Sequence, residues 1–168
     1  LEGLRCGDPA AQEEFYRAHF RRVYQWCRYM GGRHVDPEDA TAEVFVVAFA
    51  KVAGFRGEAA LSTWLFRIAR RVVSTLRRRA WIGRLVGLDA CPEVPAGASN
   101  PEAQASAMHD LAHAQAVLET LSDAKREAFV LVDICGYTLE EAATILHTNA
   151  ATVGTRVFYA RKDFMERY

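Results

Sequence analysis

The stretch Gly136-Tyr137-Thr138-Leu139-Glu140-Glu141-Ala142-Ala143-Thr144-Ile145-Leu146, then His147-Thr148-Asn149, then Ala150-Ala151-Thr152-Val153-Gly154-Thr155-Arg156-Val157-Phe158-Tyr159-Ala160-Arg161, decides the fold. Thr138 with Glu141 three residues on forms a capping-box pattern, in which each side chain satisfies a free amide of a helix start. The short helix that follows presents Ala142, Ala143, Ile145 and Leu146. An inner face with small residues lets another helix approach closely. Asn149 can cap the next helix, which carries Val153, Val157, Ala160 and Phe164 at i, i+4, i+7 and i+11. A short helix, a tight turn and a longer helix are therefore expected from Thr138 onward.

The stripe from Val153 to Phe164 leaves another side free. That side offers Thr152, Thr155, Arg156, Tyr159, Arg161 and Lys162. Hydroxyls and guanidinium groups at helical spacing suit base edges and phosphates in a major groove. An ordinary helical hairpin with its polar side in water has the same periodicity, so the spacing alone does not choose between them.

Working outward, a helix from about Asp110 to Leu121 is expected, with a second starting near Ser122 or Asp123. The second carries Phe129, Leu131, Val132 and Ile134 as core candidates and breaks at Gly136. Three of the five prolines (Pro92, Pro95, Pro101) lie between Gly83 and Ser106 with several Gly, Ala and Ser residues, the composition of a linker. Before it, Tyr16, Phe20, Val23 and Cys27 form one helical stripe. Phe45, Phe49 and Val52 form another, and Leu65, Ile68, Ala69, Val72 and Leu76 a third. No sustained period-two alternation argues for strands. The expectation is all-α: one helical bundle over residues 1–82, a flexible linker over 83–109 and a second bundle over 110–168.

Totals exclude some classes. Twenty-one basic residues balance twenty-one acidic ones, so net charge announces no partner. The distribution is uneven, +5 over residues 1–82, −3 over 83–110 and −2 over 111–168. Cys6, Cys27, Cys91 and Cys135 lie far apart without a CxxC pair, so neither a disulfide framework nor a zinc knuckle is indicated, and a reducing cytoplasm fits. No run reaches the ~18 apolar residues of a membrane span, so direct membrane insertion is not expected.

The basic excess of the first half concentrates from Leu61 to Ala80, which carries Arg67, Arg70, Arg71, Arg77, Arg78 and Arg79 without an acidic residue, beside Trp64 and the adjoining Trp81. Guanidinium groups with aromatics hold phosphates and stack unpaired bases. The opposite charge gathers at Asp36, Asp39 and Glu43, which share a helix face at i, i+3 and i+7 and suit a basic partner helix. Asp36 also reads as an N-cap, followed by Pro37 at the first helical position, and Gly54 marks the end of that helix.

Residues 136–143, 151–157 and 159–161 together resemble region 4 of bacterial sigma factors, most closely the extracytoplasmic-function group. Phe55-Arg56-Gly57-Glu58 followed by Leu61-Ser62-Thr63-Trp64-Leu65-Phe66-Arg67-Ile68-Ala69-Arg70 is similar to regions 2.3 and 2.4 of the same family, and Asp36 through Phe45 to region 2.2. The resemblance covers roughly residues 8–80 and 111–167. It implies a factor that binds core RNA polymerase and directs it to promoters. Region 4 would read the −35 element through Thr152, Gly154, Thr155, Arg156, Phe158, Tyr159, Arg161 and Lys162. Region 2 would hold the melted −10 strand through Phe55, Arg56, Ser62, Trp64, Arg67, Arg70, Arg71, Ser74, Arg77 and Arg78. Asp36, Asp39 and Glu43 would dock on the clamp helices of the beta-prime subunit, with region 4 on the beta flap. An anti-sigma factor is an implied partner.

The sequence departs from the family pattern where Gly154 replaces Lys or Arg, His147 replaces Gly, Ala42 replaces Gln, Arg71 replaces Asn and Ser74 replaces Asp. From Asn149 to Tyr168 four basic residues meet two acidic ones. The last helix by itself should bind DNA weakly, because affinity for duplex scales with the phosphates neutralised.

A stand-alone helix-turn-helix regulator of operator DNA is the main rival, since the C-terminal half suits either role. His109-Asp110-Leu111-Ala112-His113 sets two imidazoles one turn apart, a loose zincin pattern with no evident third ligand. No catalytic constellation, metal site or cofactor is expected. Cys91 in the linker is a candidate for oxidation sensing.

Overall fold

A computed structural model describes residues 2–57, 60–85 and 112–168. The described residues are helical throughout, with no strand among them. In chain order they form α1 (Glu2–Arg5), α2 (Pro9–Gly31), α3 (Pro37–Lys51, extended by a 3-10 turn Val52–Gly54) and α4 (Leu61–Leu85). Then come α5 (112–120), α6 (Asp123–Phe129, running into a π-helical turn Val130–Ile134), α7 (Leu139–Leu146) and α8 (Ala150–Met165).

The expected starts are in place and each satisfies amides that a helix leaves free. The Asp36 carboxylate accepts from the Glu38 and Asp39 amides at 2.8 and 2.9 Å. Thr138 accepts from the Glu141 amide while Glu141 accepts from the Thr138 amide, at 3.2 and 2.9 Å. Asn149 accepts from the Thr152 amide at 2.7 Å. Asp8, an additional cap, accepts from the Ala10 amide before Pro9 at the first helical position.

In the first half α2, α3 and α4 pack pairwise, burying Val23, Cys27 and Met30 against Val44, Phe45 and Ala48, and against Leu65, Phe66, Ala69 and Val72. The stripe on α2 keeps Val23 and Cys27 of the expected set and differs at its start. Phe15 is buried and Tyr16 is 38% exposed, and Trp26 is fully buried beside Cys27. Phe15 wins the inner place because it meets Phe45 and Phe49 at 6.3 and 6.0 Å, leaving Tyr16 to lie across the edge of Phe45.

In the second half Leu118, Leu121 and Ala160 are buried with Phe129 and Phe164 against them. Arg126 is 2% exposed, a burial that needs explanation. Its guanidinium donates to the carbonyls of Leu118, Glu119 and Leu121 at 2.7, 3.0 and 2.8 Å, closing the C-terminal end of α5 where carbonyls lack helical partners.

Two results differ from the expected organisation. The linker does not begin at residue 83, because α4 runs through Gly83 to Leu85, with Trp81, Ile82, Arg84 and Leu85 outweighing the cost of one glycine. The rest of the expected linker lies outside the described residues, as do Cys91 and residues 109–111. The halves also share one buried cluster, which runs from Trp26, Phe66 and Ala69 to Val130, Leu131, Ala142 and Ile145.

His147 ends α7 in the left-handed conformation, φ 51° and ψ 52°, where its amide donates to the Ala143 carbonyl. A side chain there crowds its own carbonyl, and glycine does not. His147→Gly is expected to stabilise the fold by about 0.5–1 kcal/mol and raise Tm by about 2–4 °C. Thermal melting followed by circular dichroism checks this, and an unchanged or lower Tm would show that the left-handed turn costs nothing here.

Candidate nucleic-acid interface

Two surfaces carry the residues expected to meet DNA. On α8, Val153, Val157 and Ala160 are buried, which turns Thr155, Phe158, Tyr159, Arg161 and Lys162 outward; Thr152, Gly154 and Arg156 are half-buried at the margin. Phe158 is 63% exposed, and it meets Tyr159 edge-on at 5.4 Å. The Lys125 ammonium lies 5.6 Å over the Tyr159 ring and pairs with Asp163 at 2.6 Å. Arg161 is held by both carboxylate oxygens of Asp133, with contacts from 2.6 to 3.2 Å, so part of its hydrogen-bonding capacity is already used.

On α4, Arg67, Arg70, Arg71, Ser74 and Arg78 are exposed along one helix, with Arg77 half-buried. Trp64 is half-buried and packs against the Phe55 ring at 5.1 Å. Phe55 itself is only 8% exposed, and its carbonyl accepts from Arg5 at 2.6 Å. Phe55 therefore shapes the loop rather than offering a face to a base, a correction to its expected role. Arg56 is exposed and Ser62 half-buried, while residues 58 and 59 of this loop lie outside the described residues.

A groove between α3 and α4 is lined by Glu43, Val47, Lys51, Trp64, Arg67 and Arg71. Glu43 thus stands beside the basic row. Asp39 is exposed, and the Asp36 carboxylate is engaged at the helix start. Sequence reasoning missed Val46, which is 67% exposed on the same face of α3 as Asp39 and Glu43. It lies inside an apolar run, and its spacing of seven and three residues from Asp39 and Glu43 was the available signal.

The other omission is electrostatic. Arg70 pairs with Glu127 and Arg77 with Asp123, both at 2.6 Å, so two arginines of the first half already meet carboxylates of α6. Glu127 is 7% exposed; burial pushes its carboxyl up and Arg70 pulls it back, with Arg156 of α8 also near enough to act. The negative balance of the second half was the only sign in the sequence.

No group of three His, Cys, Asp or Glu that could hold a metal ion occurs among the described residues, and the His113 ring stacks on Tyr168 at 5.1 Å. Burial pushes the Cys27 thiol up to about 12 and that of Cys135 to about 11, which keeps both protonated and unreactive. Among the described residues no helix is long and apolar enough to cross a membrane.

The chain has counterparts among known proteins. Residues 15–82 match Sigma-70 region 2, and residues 113–164 match Sigma-70 region 4. The chain is 34% identical over 170 residues to the ECF RNA polymerase sigma factor SigE of Mycolicibacterium smegmatis, covering 95% of this chain and 63% of that one, so it spans less than two thirds of that relative. It is 32% identical to the RNA polymerase sigma factor NccH of Alcaligenes xylosoxydans xylosoxydans, over 92% of this chain and 85% of the other. Its fold resembles that of the sigma factor RpoE of Bartonella quintana, solved in complex with the anti-sigma factor NepR. The TM-score is 0.67 at 25% identity, covering 92% of this chain and 94% of that one. The chain belongs to the extracytoplasmic-function sigma factors, initiation factors of bacterial RNA polymerase.

Proposed function

We propose that this protein delivers core RNA polymerase to promoters by dividing the DNA between its two basic faces and catalyses no chemistry itself. The α3 face of Asp39, Glu43 and Val46 docks on the clamp helices of the beta-prime subunit, and region 4 docks on the beta flap. The outward side of α8 (Thr152, Gly154, Thr155, Arg156, Phe158, Tyr159, Arg161 and Lys162) reads the −35 duplex. Arg67, Arg70, Arg71, Ser74, Arg77 and Arg78 of α4, with Arg56, Ser62 and Trp64 beside them, hold the unpaired −10 strand. Function of this kind places the protein in the cytoplasm, with an anti-sigma factor as a partner, as RpoE has in its complex.

One observation carries the reading. The exposed arginine row of α4, with the half-buried Trp64 beside it, supports a single-stranded DNA partner. A stand-alone regulator reading duplex through α8 needs no such surface.

Run-off transcription with purified core polymerase tests it. Promoter-specific transcripts are expected only when both are present. Tight, polymerase-independent binding to operator DNA with no transcript from any template would overturn the assignment. Arg67→Ala and Arg71→Ala each remove an exposed charge, and each is expected to lower open-complex formation about tenfold while core binding and Tm stay unchanged.

Gly154 supplies an opposite test. A Cβ at this position would meet only Leu139 at 3.7 Å, an ordinary contact, so a side chain fits. Gly154→Arg is expected to stabilise α8 by about 0.8–1 kcal/mol. It should also steepen the salt dependence of promoter binding by about one unit in log K against log[salt]. An unchanged slope in a salt titration of holoenzyme binding would place residue 154 away from phosphate.

A further inference from the structure

Residues 2–8 precede the stretch, 15–82, that matches Sigma-70 region 2, yet they fold onto it. A four-residue helix cannot hold itself together in water, so α1 takes its order from what it touches. Leu4 is buried in the core of the first half. The Asp8 amide donates to the Gly3 carbonyl at 3.0 Å, and Gly7, at φ 74°, supplies the left-handed turn that leads into α2. Gly3 lies so close to α2 that a Cβ there would meet the Ala11 Cβ at 2.9 Å, an atom fixed by the α2 backbone.

This seat aims Arg5 at the start of the loop before α4. Helix α1 rests against the 3-10 turn Val52–Gly54, and the Arg5 guanidinium donates to the Phe55 carbonyl at 2.6 Å, across 50 residues of chain. Phe55 has left the helix: its backbone is extended, φ −73° and ψ 111°, and Gly57 follows at φ 75°. Its carbonyl has therefore lost the helical pattern of partners, and among the described residues Arg5 is its donor. The ring of the same residue is buried against Trp64. Phe55 is thus fixed twice, by Trp64 through its ring and by Arg5 through its backbone, directly before Arg56.

We propose that Arg5 is a positioning residue for reading of the −10 strand: its hydrogen bond to Phe55 sets where Arg56 and the Trp64 ring stand when they meet unpaired DNA. The proposal rests on the sigma-factor reading for its consequence and not for its geometry. A guanidinium donor makes a charge-assisted bond, stronger than the water that would replace it. Arg5 acts through Phe55, so its loss changes which base is preferred and leaves the number of neutralised phosphates as it was.

Three variants of the full chain test this. Arg5→Met keeps the reach of the side chain and removes every donor, Arg5→Lys keeps a donor, and Gly3→Ala keeps Arg5 but unseats α1 from Ala11. Hydrogen exchange resolved by NMR reads the anchor. The Phe55 amide, bonded to the Val52 carbonyl at 3.1 Å, is expected to exchange about tenfold faster in Arg5→Met and Gly3→Ala. Arg5→Lys should stay near the native rate, and the Leu65 and Phe66 amides of the core should not change. Run-off transcription with core polymerase, on promoters carrying one −10 substitution at a time, reads the function. Preference for the best −10 base over the next is expected to fall about three- to tenfold in Arg5→Met and Gly3→Ala and to return in Arg5→Lys. The slope of log K for promoter binding against log[salt] should match the native protein.

An unchanged Phe55 exchange rate in Arg5→Met would overturn the proposal. So would faster exchange with the −10 preference intact, or a salt slope lowered by about one, which would make Arg5 a phosphate contact instead. If Gly3→Ala loses helicity, Arg5→Met decides alone, since Arg5 is exposed. Native protein that yields no promoter-specific transcript sinks the sigma-factor reading, and the exchange rates then still decide whether Arg5 holds the loop.

Discussion

The indole of Trp26 is where the two halves of the molecule close on one another. It is fully buried on α2, meets Phe66 of α4 edge-on at 5.2 Å and brings its N–H beside the Cys135 sulfur at the end of the π-helical turn. That N–H has no oxygen or nitrogen acceptor, and sulfur is a weak one. Leaving it so costs about 1–3 kcal/mol. Burying about 200 Å² of aromatic surface contributes about 5 kcal/mol, so the indole stays inside. Neither half is large, and a helix whose two sides are both covered lets each use the other as wall. Arg22, lying 5.8 Å over the Tyr137 ring, extends the same contact to the start of the helix-turn-helix.

Local features of this arrangement were legible in the sequence. Helix starts at Asp36, Thr138 and Asn149 depend on a side chain two or three residues from the amide it satisfies, and such spacings can be read directly. The buried stripe of α8 is equally local. What the sequence hid is set by partners far along the chain. Phe15 displaces Tyr16 from the core because of Phe45 and Phe49, and no periodicity within α2 distinguishes two neighbouring aromatics. Arg126 reads as a surface residue until the end of α5 arrives to be capped.

The candidate site shows the same division. Which residue types gather on α4 and α8 was plain, but which are free was not. Arg67, Arg71 and Arg78 are exposed as expected, whereas Arg70, Arg77 and Arg161 meet Glu127, Asp123 and Asp133. Exposed ion pairs are weak, so such contacts give way readily to a polyanion that neutralises several arginines together and releases its own counterions. Glu127 is the exception. Its carboxyl is largely desolvated, so its charge leans on Arg70 more than an exposed partner would.

Two departures from the family pattern then act together. Gly154 withholds a basic side chain from the DNA side of α8, and His147 places a strained residue in the turn that aims that helix. On the proposed reading each weakens recognition of duplex by the isolated protein. Specificity with a weak reader has to come from linkage: once polymerase holds both halves, the second DNA contact is intramolecular, and a modest −35 affinity is multiplied by a high effective concentration. A strong reader on the same chain would occupy promoter-like duplex without polymerase, so on the proposed reading weak intrinsic binding leads to DNA recognition that waits for the enzyme.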